Sequence, residues 1–327
     1  MNVIAIDGSR HSLPGSEEIR IKYDPESCQL SPCKQYYPKG LVSIAYDSFR
    51  GIPIARKLSH AKASEREDAL TLMNEISLEN VLYIMDRGYP SYSIIWEIQN
   101  RQSHFLMRCK GKKTFKAVKK FLESGKLDGY ITISPESCRT SNIDAPKNEL
   151  KPIVVRAIRY IDENGNVSAL LTDLLDTYEF STDELVKLYH DRWEVETNYR
   201  HEKCSLGIET FHSRSENGIL QEFYAIGFIS VITRLLMVLV NNEKHEAQPR
   251  QKIAPQFKNS IKKFASDVAI FVTQNSRRAL KLFKEVLKEI ERVKHKRPKN
   301  TRKPCPRLTK KACSKWIRKR AKLAKGK

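Results

Sequence analysis

The chain has 327 residues, 40% of them apolar, and a formal net charge of +21. It is long enough for one large domain or two smaller ones, and its apolar content excludes a molecule without a folded core. Seventeen of its 59 Lys and Arg, and no Asp or Glu, fall in residues 292–327, so the rest is nearly balanced at 42 basic against 38 acidic residues. Such a basic tail suits nucleic acid or an anionic membrane surface. The seven cysteines form no zinc-type pairs, and Cys28 and Cys33 lie in a proline-containing stretch without nearby histidines. Their odd number and the lack of a signal peptide point to a reducing cytoplasm.

In chain order, Val3–Ile6 is apolar on both faces, as a central strand covered on two sides would be, and it ends at Asp7-Gly8-Ser9. Residues 11–40 are rich in proline and glycine and read as loop. Leu41–Tyr46 and Ile52–Leu58 predict a hairpin across Asp47–Gly51. A helix is expected over 64–77. Val81–Met85 repeats the pattern of the first strand, an apolar run ending in an aspartate, Asp86. Pro90-Ser91 opens a helix to about Asn100, and His104–Cys109 is a further strand. A helix between the strands at 52–58 and 81–85 gives room for a crossover, so a mixed α/β sheet is expected. If the first strand and Val81–Met85 lie side by side and parallel, Asp7 and Asp86 project from the same region, near the strand ends where ligand chemistry collects.

Residues 110–178 change character: a basic helix over 112–124, then strands at 130–134, 153–160 and 167–172, read as a mostly β insertion. Ser181, or Thr182, with Glu184 resembles a capping box and opens a helix from about Thr182 to Glu202. On a continuous helix at roughly 100° per residue, Tyr189, Arg192, Glu196 and Lys203 fall within about 60° of one another. Further helices are expected over 217–241, 255–273 and 276–294, the first a buried core helix rather than a membrane span. A short basic helix around Trp316 closes the chain. The domain reading is 1–109 as the first part of a catalytic core, 110–178 as the insertion, 179–294 as the helical remainder, and 295–327 as the basic tail.

Three carboxylates, Asp7, Asp86 and Glu196, gathered at one place would raise one another's pKa. Divalent cations relieve that repulsion, and an all-oxygen donor set suits Mg²⁺ or Mn²⁺. Two such ions support in-line displacement at a phosphodiester. Arg192 and Lys203 are placed to hold a DNA phosphate, and Tyr189 to bond a phosphate or stack on a base. The plain alternatives are a solvated i,i+4 pair for Arg192 and Glu196 and strand-end turns for the aspartates. Trp193 reads as core packing rather than a DNA contact.

The spacing Tyr189-(2)-Arg192-(3)-Glu196-(6)-Lys203, with the contexts Ile6-Asp7-Gly8-Ser9 and Met85-Asp86-Arg87-Gly88-Tyr89, resembles the DDE transposases of insertion sequence family 4. The resemblance implies an RNase H-like core with a β-rich insertion before the catalytic glutamate. It implies Asp7, Asp86 and Glu196 as catalytic metal ligands, and Tyr189, Arg192 and Lys203 as DNA contacts. The implied cofactor is Mg²⁺ or Mn²⁺, two ions. The implied activity is metal-dependent endonucleolytic nicking at transposon ends and strand transfer into target DNA, often with a hairpin on the second strand. Partners would be DNA and a second copy of the chain in a synaptic dimer, in the bacterial cytoplasm at the nucleoid, with no membrane. Family members usually carry an N-terminal DNA-binding region ahead of the first aspartate. The alternative is therefore a truncated, non-catalytic DNA-binding remnant that modulates a full-length transposase.

Overall fold

The computed structural model describes residues 1–26, 37–110, 114–137, 150–162, 165–242, 253–254, 257–265 and 276–296. The expected helix around Trp316 and the Cys28–Cys33 stretch lie outside them. The chain divides into two compact units. One comprises Met1–Arg10 and Gly40–Asn198, the other His11–Lys39 and Tyr199–Lys327.

The first unit is built on the long strand β1 (Asn2–Ser12), the hairpin β2 (Lys39–Asp47) and β3 (Ile52–His60), helix α2 (Glu65–Glu75), β4 (Val81–Met85), α3 (Tyr92–Asn100) and β5 (His104–Cys109); α1 (Glu17–Tyr23) belongs to the second unit. Then come α4 (Lys116–Glu123), β6 (Asp128–Ile133), β7 (Ile153–Ile161), β8 (Val167–Thr172), α5 (Thr182–His190) and α6 (Trp193–His201). One eight-stranded sheet runs in the order β3-β2-β1-β4-β5-β8-β7-β6. β1, β4 and β5 are mutually parallel, and β2–β3, β5–β8, β8–β7 and β7–β6 are antiparallel. This is the mixed, helix-flanked, RNase H-like sheet that the resemblance implies. The three strands after α4 extend that same sheet.

Strand alternation explains how both faces are covered. Ile4, Ile6, Tyr83, Met85, Phe105 and Met107 join one core with Ala69, Leu72 and Met73 of α2 and Ile94, Ile95 and Ile98 of α3. Val3, Leu82, Ile84 and Leu106 point the other way and pack with Leu185 and Tyr189 of α5. β4 is buried at every position, which is why its sequence shows no polar alternation.

The continuous helix expected over 182–202 is two helices. After α5, Asp191 and Arg192 donate their amides to Leu188 and Tyr189 three residues back, and Glu194 and Val195 do the same to Asp191 and Arg192. Such i→i−3 bonds tighten the turn and break the regular α ladder. The uniform angular step fails at Arg192. Beyond α6 the backbone widens into a π turn, Glu202–Leu206, closed by Gly207 at φ +66°.

In the second unit α7 (Glu216–Asn242) packs with α8 (Phe257–Ala265) and α9 (Ser276–Arg292) through Leu236, Val240, Phe264, Val286 and Ile290. α7 is long and apolar enough to cross a membrane by length and composition. It buries Ile219 and Phe223 as well, whereas Tyr224, Phe228, Leu235 and Leu239 are exposed. The helix expected to be a core helix is thus one along a single face.

Candidate active site

Asp7 and Asp86 sit side by side because of register. Ile6 pairs with Met85 across the parallel β1–β4 ladder, so the next residue on each strand is an aspartate. Alternation sends Asp7 to the face of Val3 and Asp86 to the face of Leu82 and Ile84, the face that α5 covers. Asp86 Oδ1 accepts the Gly88 amide at 2.6 Å, so the plain strand-end turn is present, and it fixes the carboxylate beside Asp7.

Arg192 reaches this place from the break between α5 and α6. Its Nη1 lies 3.7 Å from Asp7 Oδ2 and its Nη2 2.9 Å from Glu196 Oε1. One buried guanidinium thereby links the first aspartate to the glutamate. Burial opposes its charge, but Tyr189, Asp7 and Glu196 outweigh that and hold its pKa above the ordinary value. Asp7 shows the strain of the cluster: burial first, with further pushes from Asp86 and Glu196, raises its carboxyl to about 7 despite Arg192.

Tyr189 is buried, its ring edge-on to Tyr160 at 5.6 Å. A ring packed there offers no open face to a base, so the stacking role expected from the sequence is not available. Tyr189 instead supports Arg192, which lies over its ring at 5.8 Å. Trp193, expected in the core, is 49% exposed. Lys203 lies in the second unit, on the π turn, where Glu209 faces it at 3.9 Å. Burial lowers its pKa, opposed by Glu209.

Two side chains at the strand ends gave no signal in the sequence. Glu65, first residue of α2, reads as an ordinary acid in the first helical turn after the Ser64 cap. Its pKa is raised by burial and then by Asp86. Tyr89 is fully buried, and its hydroxyl has no hydrogen-bond partner among the described residues. Burial, then Asp7, Glu65 and Asp86, drive its pKa well above the ordinary value.

Among the described residues no three His, Cys, Asp or Glu side chains are close enough together to hold a metal ion. The donor chemistry nevertheless fits a hard cation: the acids are all-oxygen donors, and their crowding already penalises the charge on Asp7.

The site is thus a mixed, helix-flanked sheet with an aspartate following the last paired residue of each of two adjacent parallel strands, Ile6 and Met85. The chain belongs to the transposase DDE domain family, whose model matches residues 1–232. It is 23% identical over 242 residues to the transposase InsG for insertion sequence element IS4 of Escherichia coli (strain K12), covering 73% of this chain and 52% of that protein. It is also 23% identical over 194 residues to y4zB of Sinorhizobium fredii (strain NBRC 101917 / NGR234), assigned as a transposase, covering 59% of this chain and 52% of that one. The chain thus spans about half the length of these curated relatives. A solved structure, the piggyBac transposase synaptic complex with hairpin DNA, is similar with a TM-score of 0.48 at 11% identity, covering 95% of this chain and 60% of that one.

Proposed function

We propose that this chain is a DNA transposase that cuts the ends of an insertion sequence and joins them to target DNA, with Asp7, Asp86 and Glu196 holding Mg²⁺ or Mn²⁺. The observation that carries the reading is Arg192 bound to both Asp7 and Glu196, beside an Asp86 that register sets next to Asp7. When bound, two such ions activate the attacking hydroxyl and stabilise the leaving oxygen. The chain's own part is to hold the acids on a rigid sheet and to present Arg192. With a cation held at the acids, Arg192 would be available to a DNA phosphate through charge-assisted hydrogen bonds. Tyr189 positions Arg192, and Lys203 supplies a second phosphate contact. The basic tail adds non-specific affinity that weakens steeply with salt. DNA ends held in pairs call for a homodimer, working on cytoplasmic DNA.

Glu196→Gln is expected to lower Mg²⁺-dependent nicking of duplex carrying the flanking inverted repeat by on the order of 10³-fold or more, the scale of losing one transition-state stabiliser. DNA affinity measured in EDTA should persist. Metal-dependent nicking that survives the substitution would overturn the assignment.

A further inference from the structure

The strand ends are approached from both faces of the sheet. Glu196 comes with α6 on the face of Asp7, and Glu65 comes with α2 from the other. α2 is fixed there by Asp68, whose carboxylate accepts the Ser43 and Ser59 hydroxyls at 2.9 and 2.8 Å and pairs with Lys57 at 3.0 Å. With the helix so held, the Glu65 side chain passes over Gly8, the residue after Asp7. A Cβ on Gly8 would meet Glu65 Cγ at 3.0 Å and Cδ at 3.2 Å. Gly88, two residues after Asp86, leaves a second clearance. A Cβ there would lie 3.1 Å from Asp86 Oδ1 and 3.5 Å from Glu65 Oε2. Two carboxylate oxygens from different elements thus lie at the space that Gly88 keeps open, and Gly8 leaves room for the Glu65 stem.

An acid at the first position of a helix is accounted for by the helix dipole alone. The dipole does not account for a second carboxylate brought up to Asp86, since like charges repel. Nor does it account for Tyr89, whose buried hydroxyl has no partner among the described residues and senses Asp7, Glu65 and Asp86 together. A buried hydroxyl without a partner is destabilising unless something else satisfies it.

We propose that Glu65 is a fourth carboxylate of the site, holding a divalent cation jointly with Asp86, with the Tyr89 hydroxyl donating to the loaded carboxylates. The inference rests on the reading of the site as cation-dependent.

The test is Mn²⁺ binding to the full chain without DNA, followed by the electron paramagnetic resonance of the free ion, in the native protein, Glu65→Gln, Glu65→Asp and Asp86→Asn. Thermal midpoints are taken in EDTA. Glu65→Gln is expected to weaken Mn²⁺ binding roughly ten- to hundredfold, with a midpoint in EDTA no lower than native. Glu65→Asp, which keeps the charge, should lose less. Native Mn²⁺ affinity in Glu65→Gln beside weakened binding in Asp86→Asn would remove Glu65 from the site and leave the cation reading standing. A lowered midpoint with unchanged affinity would make Glu65 structural and overturn the inference in the same way. Native affinity in Asp86→Asn as well would overturn the cation reading itself.

Discussion

Asp7→Asn is expected to stabilise the metal-free protein at pH 8 by about 2–4 kcal/mol while abolishing DNA cleavage. The carboxyl titrates near 7 in the fold against 3.8 as the ordinary value. Below 3.8 both folded and unfolded chains carry the proton and the contribution of Asp7 is fully present. As the pH rises from there, the unfolded chain releases its proton first, and stability is lost until the folded carboxyl ionises near 7. Above that the loss is complete. Asparagine cannot ionise, so the variant escapes the decline. Urea unfolding in EDTA at pH 5 and pH 8 gives the check: the gap between variant and native should widen with pH, by about 1.4 kcal/mol per unit in the steep part. A gap that does not change with pH would show that burial does not disfavour the charged carboxylate. On the proposed reading, a cation held at Asp7 would offset the same penalty.

The parts of this arrangement differ in how far the sequence reveals them. Two apolar runs ending in aspartate predict two central strands, and alternation then assigns both acids to one face. The strands need just local pattern; the ladder from Asn2 to Ile6 against Val81 to Met85 supplies the pairing that sets the acids together, and β1 runs on past Asp7 to Ser12. The helix carrying Arg192 and Glu196 is legible as a helix, but its break is not, because no Gly or Pro marks residues 191–192. The inward turn of Tyr189 has a signal in Leu185, four residues earlier on the same buried stripe, which the polar spacing around it obscures. Glu65 has none. Its place depends on where α2 meets the sheet, and that is set by long-range packing. The same holds for β6, β7 and β8: each is recognisable as a strand, but their joining of the central sheet is decided by β8 pairing with β5, more than 60 residues away in sequence at Arg108 and Leu170.

Arg156→Met should destabilise the first unit by about 3 kcal/mol, the low end for breaking a buried ion pair, because Asp128 stays partly in water. Arg156 is 1% exposed on β7. Its Nε and Nη2 hold the Asp128 carboxylate of β6, the closest approach being 2.6 Å. Its Nη1 donates to the Phe180 carbonyl at 2.6 Å and its Nη2 to Thr182 Oγ1 at 3.2 Å. Thr182 in turn donates to Asp128 Oδ2 at 2.9 Å. The guanidinium therefore ties the first residue of α5 to the far edge of the sheet. Methionine matches its apolar stem but leaves the Phe180 carbonyl without this donor and Asp128 without its counter-ion. Asp128→Asn in the same chain should recover part of the loss, since the remaining charge is then gone. Because α5 carries Tyr189 to its place under Arg192, the substitution should also lower nicking under conditions where the protein remains folded. A change below about 1 kcal/mol in urea unfolding, the range of an exposed pair, would mean that α5 is held by the apolar contacts of its Leu185 and Tyr189 with the sheet alone.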